Sequence, residues 1–161
     1  MLIAVYPGRF QPFHKGHLAA IEHILSENDR LYIIICSKKN YTELDDKNPF
    51  TFEERKEMME LSIPTEFLER VTICHVSDSG SDKEWTNVID AYIPEPDFTT
   101  YSNNPITVAA FKNHGYMTRS LPVMEEGLNA TFIRKLLIRR DDYVGFIPNG
   151  TRKVIEGITK K

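Results

Sequence analysis

Cysteine is scarce: the chain of 161 residues has two, Cys36 and Cys74. Each lies toward the end of an apolar, strand-like run, so they read as buried free thiols rather than a disulfide framework, which fits a reducing cytoplasm. An excess of either charge is also lacking. Lys and Arg number 20 against 23 Asp and Glu, a formal net charge of −3, so no global basic field recruits nucleic acid. No apolar stretch approaches membrane-spanning length, and the first apolar run, Leu2 to Tyr6, leads straight into a polar motif. Neither a membrane span nor a signal peptide is therefore expected. Repeats, low-complexity tracts and dividing linkers are absent as well, and the length suits one core that buries roughly two thirds of the unfolded surface.

What the chain does have is alternation. Strands are predicted at 2–6, 31–36, 71–76, 97–101 and 116–121, and helices at 17–28, 51–62, 84–92, 104–113, 130–139 and 150–158. Leu31-Tyr-Ile-Ile-Ile-Cys36 is apolar without a period of two, as a strand covered on both faces should be. Thr51-Phe-Glu-Glu54 reads as a capping box and Asn129 as a helix N-cap. This is an α/β pattern: a doubly wound parallel sheet of about five strands, flanked by helices, with ligands bound beyond the strands' carboxyl ends where the strand order reverses.

Residues 5–17, Val-Tyr-Pro-Gly-Arg-Phe-Gln-Pro-Phe-His-Lys-Gly-His, occupy the first such strand-to-helix turn. His14 and His17 lie three apart around Gly16, where amides of a helix N-terminus can approach an anion. Arg9 adds a planar guanidinium suited to phosphate oxygens. An isolated pair of histidines at this spacing is usually incidental, but here Gly8, Arg9, Gln11, Pro12 and Gly16 crowd into the same loop. Zinc is the competing reading; neither cysteine is near and no further ligand has suitable spacing, so metal ligation by these histidines is discounted.

Gly8-Arg-Phe-Gln-Pro-Phe-His14-Lys-Gly-His17 resembles the signature of the His-x-Gly-His nucleotidyltransferase superfamily, in the form carried by nicotinamide mononucleotide (NMN) adenylyltransferases of the archaeal type. Lys47-Asn-Pro-Phe-Thr-Phe-Glu-Glu-Arg55 is similar to that family's second block. Asp78 to Trp85 falls where the family has a nicotinamide-site segment, and Asn129-Ala-Thr-Phe-Ile-Arg134 resembles its C-terminal phosphate motif. The resemblance runs over nearly the whole chain. It implies one Rossmann-like domain over 1–161 that transfers the adenylyl group of ATP to NMN, giving NAD and pyrophosphate by in-line attack at the α-phosphate. Three departures stand out: Asn129 where many relatives have serine, Asp82 where an uncharged side chain is expected, and Pro7 before the motif glycine.

On this reading His14, His17, Arg9 and Arg134 are the catalytic residues, acting by positioning phosphates and neutralising charge. The ATP site would comprise Gly8, Arg9, Phe10, His14, Gly16, His17, Asn129, Ala130, Thr131, Ile133 and Arg134, with amides from Thr131 to Ile133 contributing. Trp85, Asp78, Asn103 and Arg55 would hold NMN, with Trp85 stacked on the pyridinium ring, Asp78 and Asn103 on its amide or ribose, and Arg55 on the phosphate. Plainer readings stand beside these: core packing for Trp85, pairing with glutamates of its own helix for Arg55, and solvated surface for Lys15, Lys38 and Lys39. Magnesium or another divalent ion would be held mainly by substrate phosphates. The resemblance also implies a homo-oligomer, for which Phe111, Tyr116 and Phe146 are available unless the core takes them. Rival readings are another adenylyl- or cytidylyltransferase of the superfamily, a non-catalytic nucleotide sensor, and a piece of a multifunctional NAD enzyme. Against these stand the lack of Gly-Thr-Phe-Asp-Pro in the first loop, the retention of both histidines and both arginines, and the lack of a Gly-x-x-x-x-Gly-Lys-[Ser/Thr] loop or Nudix-like box.

Overall fold

The computed structural model describes residues 1–78, 80–123 and 127–160; residues 79 and 124–126, which fall within the 78–85 and 122–134 segments singled out above, lie outside the described residues, as does 161. Among those described, five strands form one parallel sheet: β1 (Ile3–Gly8), β2 (Arg30–Ser37), β3 (Val71–Ser77), β4 (Thr99–Tyr101) and β5 (Met117–Arg119). Their order is β3-β2-β1-β4-β5. The chain winds outward from β1 in one direction and then returns to its other side, so the order reverses between β1 and β4, and ligands are expected beyond the carboxyl ends there.

Side-chain alternation builds a core on each face. Ala4 and Tyr6 of β1, with Leu31, Ile33 and Ile35 of β2, face the layer of α1 (Lys15–Glu27), α2 (Phe52–Ser62) and α7 (Asn149–Thr159). Ile3, Val5, Tyr32, Ile34 and Cys36 face the opposite way, against α4 (Asp82–Tyr92) and α5 (Pro105–Asn113). Both parities of β2 are thus apolar because both are covered. The remaining helices are the single turn α3 (Thr65–Leu68) and α6 (Ala130–Arg139), and Val144–Phe146 forms a 3-10 turn. No helix among the described residues is long and apolar enough to cross a membrane.

The elements differ from the sequence prediction where length or context outweighs pattern. α3 and the 3-10 turn are too short to carry a helical period. β1 runs through Pro7 to Gly8 because β4 pairs only as far as Val5; beyond it β1 is an edge strand, where proline is tolerated. Both cysteines are free and buried. Of the residues available for a subunit contact, Phe111 is fully buried, and Tyr116 stacks on Phe98 with centroids 4.1 Å apart. Phe146 packs edge-on against Phe132 at 5.2 Å.

Candidate active site

The signature turn leaves β1 at Gly8 and reverses at Phe10, whose φ of +53° lies in the left-handed region that bulky residues rarely enter. Packing holds it there: the buried Phe10 ring lies 5.3 Å from Tyr6 and 4.8 Å from His17, both edge-on. Gly8 makes room for that ring, since a Cβ at position 8 would stand 2.9 Å from Phe10 Cζ.

Distant side chains fix the turn's carbonyls one by one. Arg55 donates to Arg9 O at 2.8 Å, Arg134 to Gln11 O at 2.9 Å and Thr151 Oγ1 to Phe13 O at 2.8 Å. Gln11 in turn clamps Phe50, donating to its carbonyl and accepting from its amide, each at 3.0 Å. Gln11 belongs to the signature loop, but its partner 39 residues on is not legible there, and Thr151 has no periodicity or spacing to read.

The two histidines cap α1 reciprocally. His14 Nδ1 accepts from the amides of Gly16 at 3.0 Å and His17 at 3.3 Å, while His17 Nδ1 accepts from the amide of His14 at 3.2 Å. Their rings stack with centroids 3.6 Å apart. Gly16 is required for the fold-back, since a Cβ there would meet His14 Cε1 at 2.8 Å. With each Nδ1 accepting an N–H, the ring proton of a neutral imidazole must sit on Nε2. Burial pushes His14 down to about 4, and burial followed by the neighbouring His14 holds His17 well below the usual histidine range. Both side chains are therefore neutral Nε2–H donors near pH 7. The sequence reading offers the amides of this helix end to an anion; those of Gly16 and His17 are instead engaged by His14, which leaves the Lys15 amide and the two imidazoles as donors there.

This arrangement predicts a pH dependence of stability. An unfolded histidine titrates near 6.5 and folded His14 near 4, so between these values unfolding takes up a proton. Stability should rise with pH through that window and be fully present above it, with about 3 kcal/mol traceable to His14. His14→Asn keeps a capping acceptor but cannot titrate, so denaturation curves between pH 4 and pH 7 should show a shallower pH slope than wild type. Equal slopes would show that His14 is not the titrating group.

At α6, Asn129 Oδ1 caps Phe132 N at 2.9 Å, and Ile133 N bonds Asn129 O at 3.2 Å. Two of the three amides expected to face phosphate are thus already engaged, and the Ile133 side chain is core. Among the described residues the amides of Ala130 and Thr131 have no partner. Arg134 is held against the first loop by its bond to Gln11 O, with a second to Thr131 Oγ1 at 3.2 Å; burial lowers its pKa.

Beside a small pocket at Gln11, Ser37 and Arg55, two larger clefts open at the sheet edge among the described residues. One is lined by Tyr6, His14, Gly16, His17, Asn103 and Leu128 among others. The other, about 410 Å³, is lined by Gly8, Arg9, Asp78, Asp82, Trp85 and Asn104 among others. Arg9 is ion-paired with Asp78 on this second wall. Trp85 lines the cleft and also packs T-shaped against Phe111 with centroids 5.6 Å apart, so it has both a packing and a cleft position.

Two residues assigned to NMN from the sequence lie outside the Trp85 cleft. Asn103 faces the histidine cleft, and its amide brackets the backbone of Leu121 with bonds of 2.9 and 2.8 Å. Its neighbours Ser102 and Asn104 line the Trp85 cleft instead. Arg55 is 2 % exposed and donates to Arg9 O, Cys36 O, Ser37 Oγ and Thr51 O, so it is a strut under the site rather than a phosphate ligand or a helix-surface ion pair. Burial lowers it to about 10, still cationic at neutral pH. Lys38 pairs with Asp45 at 2.7 Å, while Lys15 and Lys39 stand exposed. No group of three or more His, Cys, Asp or Glu side chains among the described residues is placed to hold a metal ion.

The family model for cytidylyltransferase-like proteins matches residues 5–135. The chain is 34% identical over 154 residues to the nicotinamide-nucleotide adenylyltransferase of Saccharolobus solfataricus, covering 94% of this chain and 88% of that one. It is 38% identical over 143 residues to the protein of the same name from Sulfurisphaera tokodaii, covering 86% and 81%. Among solved structures, the bifunctional NMN adenylyltransferase/ADP ribose pyrophosphatase of Francisella tularensis aligns with a TM-score of 0.78 at 24% identity, over 91% of this chain but 44% of that one. That likeness concerns the fold.

Proposed function

Because the chain belongs to the cytidylyltransferase-like family and, within it, to the nicotinamide-nucleotide adenylyltransferases, we infer that it joins ATP and NMN to give NAD and pyrophosphate. The observation that carries the reading is the pair of clefts flanking β1, one walled by neutral histidine donors and the other by Trp85 and the Arg9–Asp78 pair. Two substrates can lie one in each, with their phosphates meeting over the signature turn.

The reaction needs little covalent help from the protein. A phosphate oxygen of NMN attacks the α-phosphorus of ATP in line, the bond to the β-phosphate breaks, and pyrophosphate leaves with the electron pair. Holding two anions together and meeting the charge that develops is the main task. We assign His14 and His17 to donate from Nε2 to α- and β-phosphate oxygens, without themselves adding positive charge. Cationic compensation falls to Arg134 and Arg9, the latter exchanging Asp78 for phosphate, and to the Mg2+ or other divalent ion that enters as part of the ATP substrate. Trp85 would stack on the pyridinium ring. A cytoplasmic homo-oligomer completes the proposal; the oligomer rests on the family resemblance alone.

The test is incubation with magnesium-ATP and each of NMN, nicotinate mononucleotide, phosphopantetheine and glycerol phosphate, following pyrophosphate and identifying products. NMN should yield NAD reversibly with no adenylylated protein, and its binding should quench the fluorescence of Trp85, the single tryptophan. Turnover of phosphopantetheine or glycerol phosphate but not NMN, or a covalent adenylyl-protein on the path, would overturn the reading.

A further inference from the structure

We propose that Asp82 selects between pyridine nucleotides, admitting a ring that carries a neutral carboxamide and disfavouring one that carries a carboxylate. The inference deepens the reading of the Trp85 cleft as the acceptor site and rests on it. Three charged side chains line that cleft: Arg9, Asp78 and Asp82. The first two neutralise one another as an ion pair, while Asp82 has no salt-bridge or side-chain hydrogen-bond partner among the described residues. Before substrates bind, the cleft therefore carries one net negative charge, and the transfer of Arg9 from Asp78 to phosphate leaves the charge of Asp82 in place. Asp82 opens α4 directly after its cap Ser81, and Trp85 follows at i+3, so carboxylate and indole share one helix face and both reach the cleft.

The helix end sharpens the argument. A bare helix N-terminus attracts a carboxylate, and would by itself favour an acidic ring substituent. In α4 the first turn already carries Asp82 and Glu84, and Ser81 Oγ occupies the amide of Glu84 at 3.2 Å. An incoming nicotinate carboxylate would meet a like charge where the dipole would otherwise have welcomed it. A carboxamide has no charge to repel and offers two N–H donors to the Asp82 oxygens. The ring's positive charge is common to both nucleotides, so the substituent alone is discriminated.

Steady-state kinetics with NMN and nicotinate mononucleotide on wild type, Asp82→Asn and Asp82→Glu tests this. Wild type should prefer NMN in kcat/KM by at least about tenfold, the scale of one like-charge contact in a solvent-open cleft. Asp82→Asn should narrow that preference by about tenfold, chiefly through a lower KM for nicotinate mononucleotide, whereas Asp82→Glu should retain it. High salt should erode the wild-type preference and leave that of the asparagine variant unmoved, because only a charge is screened. An unchanged preference in a folded Asp82→Asn protein would overturn the proposal. If wild type turned over neither pyridine nucleotide but accepted another phosphomonoester, the acceptor reading itself would fall, a distinguishable result.

Discussion

Replacing His17 by alanine should lower turnover by about 10²–10³-fold, the range for removing one preorganised donor to charge that develops in the transition state, while KM for ATP changes less. The reciprocal cap allows the donor role to be separated from folding. Nδ1 of His17 accepts from His14 N, and Nε2–H is left free for a ligand. Asparagine places an oxygen near where Nδ1 sits but no donor at Nε2; glutamine extends a donor toward Nε2. His17→Asn should therefore be as slow as His17→Ala yet melt close to wild type, whereas His17→Gln should recover part of the rate. Alanine should also cost about 0.5–2 kcal/mol of stability through the lost cap. Wild-type turnover in folded His17→Ala and His17→Asn proteins would remove His17 from the phosphate site.

How legible such roles are in the sequence depends on how far apart the partners lie. The apolar run of β2, the Thr51–Glu54 capping box and the Asn129 cap are local signals, and the structure contains all three. The two histidines were visible as a motif, but their tautomers were not, because the partners of each Nδ1 emerge only once the turn folds back on itself. The resemblance puts Asn103 at the acceptor, whereas Asn104 lines the Trp85 cleft; adjacent residues leaving a strand point to opposite sides, and a one-residue difference moves a side chain from one cleft to the other. Thr151 lies 138 residues from the carbonyl it holds, and nothing in its neighbourhood announces that bond.

Arg55 shows the same limit with the larger consequence. Glutamates one and two residues before it, in its own helix, invite an ion-pair reading, and the second-block resemblance invites a phosphate reading; the acceptors are the carbonyls of Arg9 just past β1, of Cys36 in β2 and of Thr51 at its own helix cap, with the Ser37 hydroxyl. Its guanidinium ties the end of β1 to the end of β2 through Arg9 O at 2.8 Å, Cys36 O at 2.9 Å and Ser37 Oγ at 2.7 Å. Removing it leaves buried acceptors without a donor, at about 1–3 kcal/mol each, and opens a cavity as well. Arg55→Ala should therefore lose about 3–5 kcal/mol, a fall in melting temperature of roughly 10 °C or more for a chain of this length. Arg55→Lys keeps the charge but not the planar fork, so it can serve only some of these acceptors and should recover only part of the loss. A phosphate ligand would behave differently: its removal would raise KM for NMN and leave the denaturation midpoint near wild type. Urea unfolding and acceptor kinetics on the two variants separate these outcomes, and an Arg55→Ala protein of wild-type stability would refute the strut.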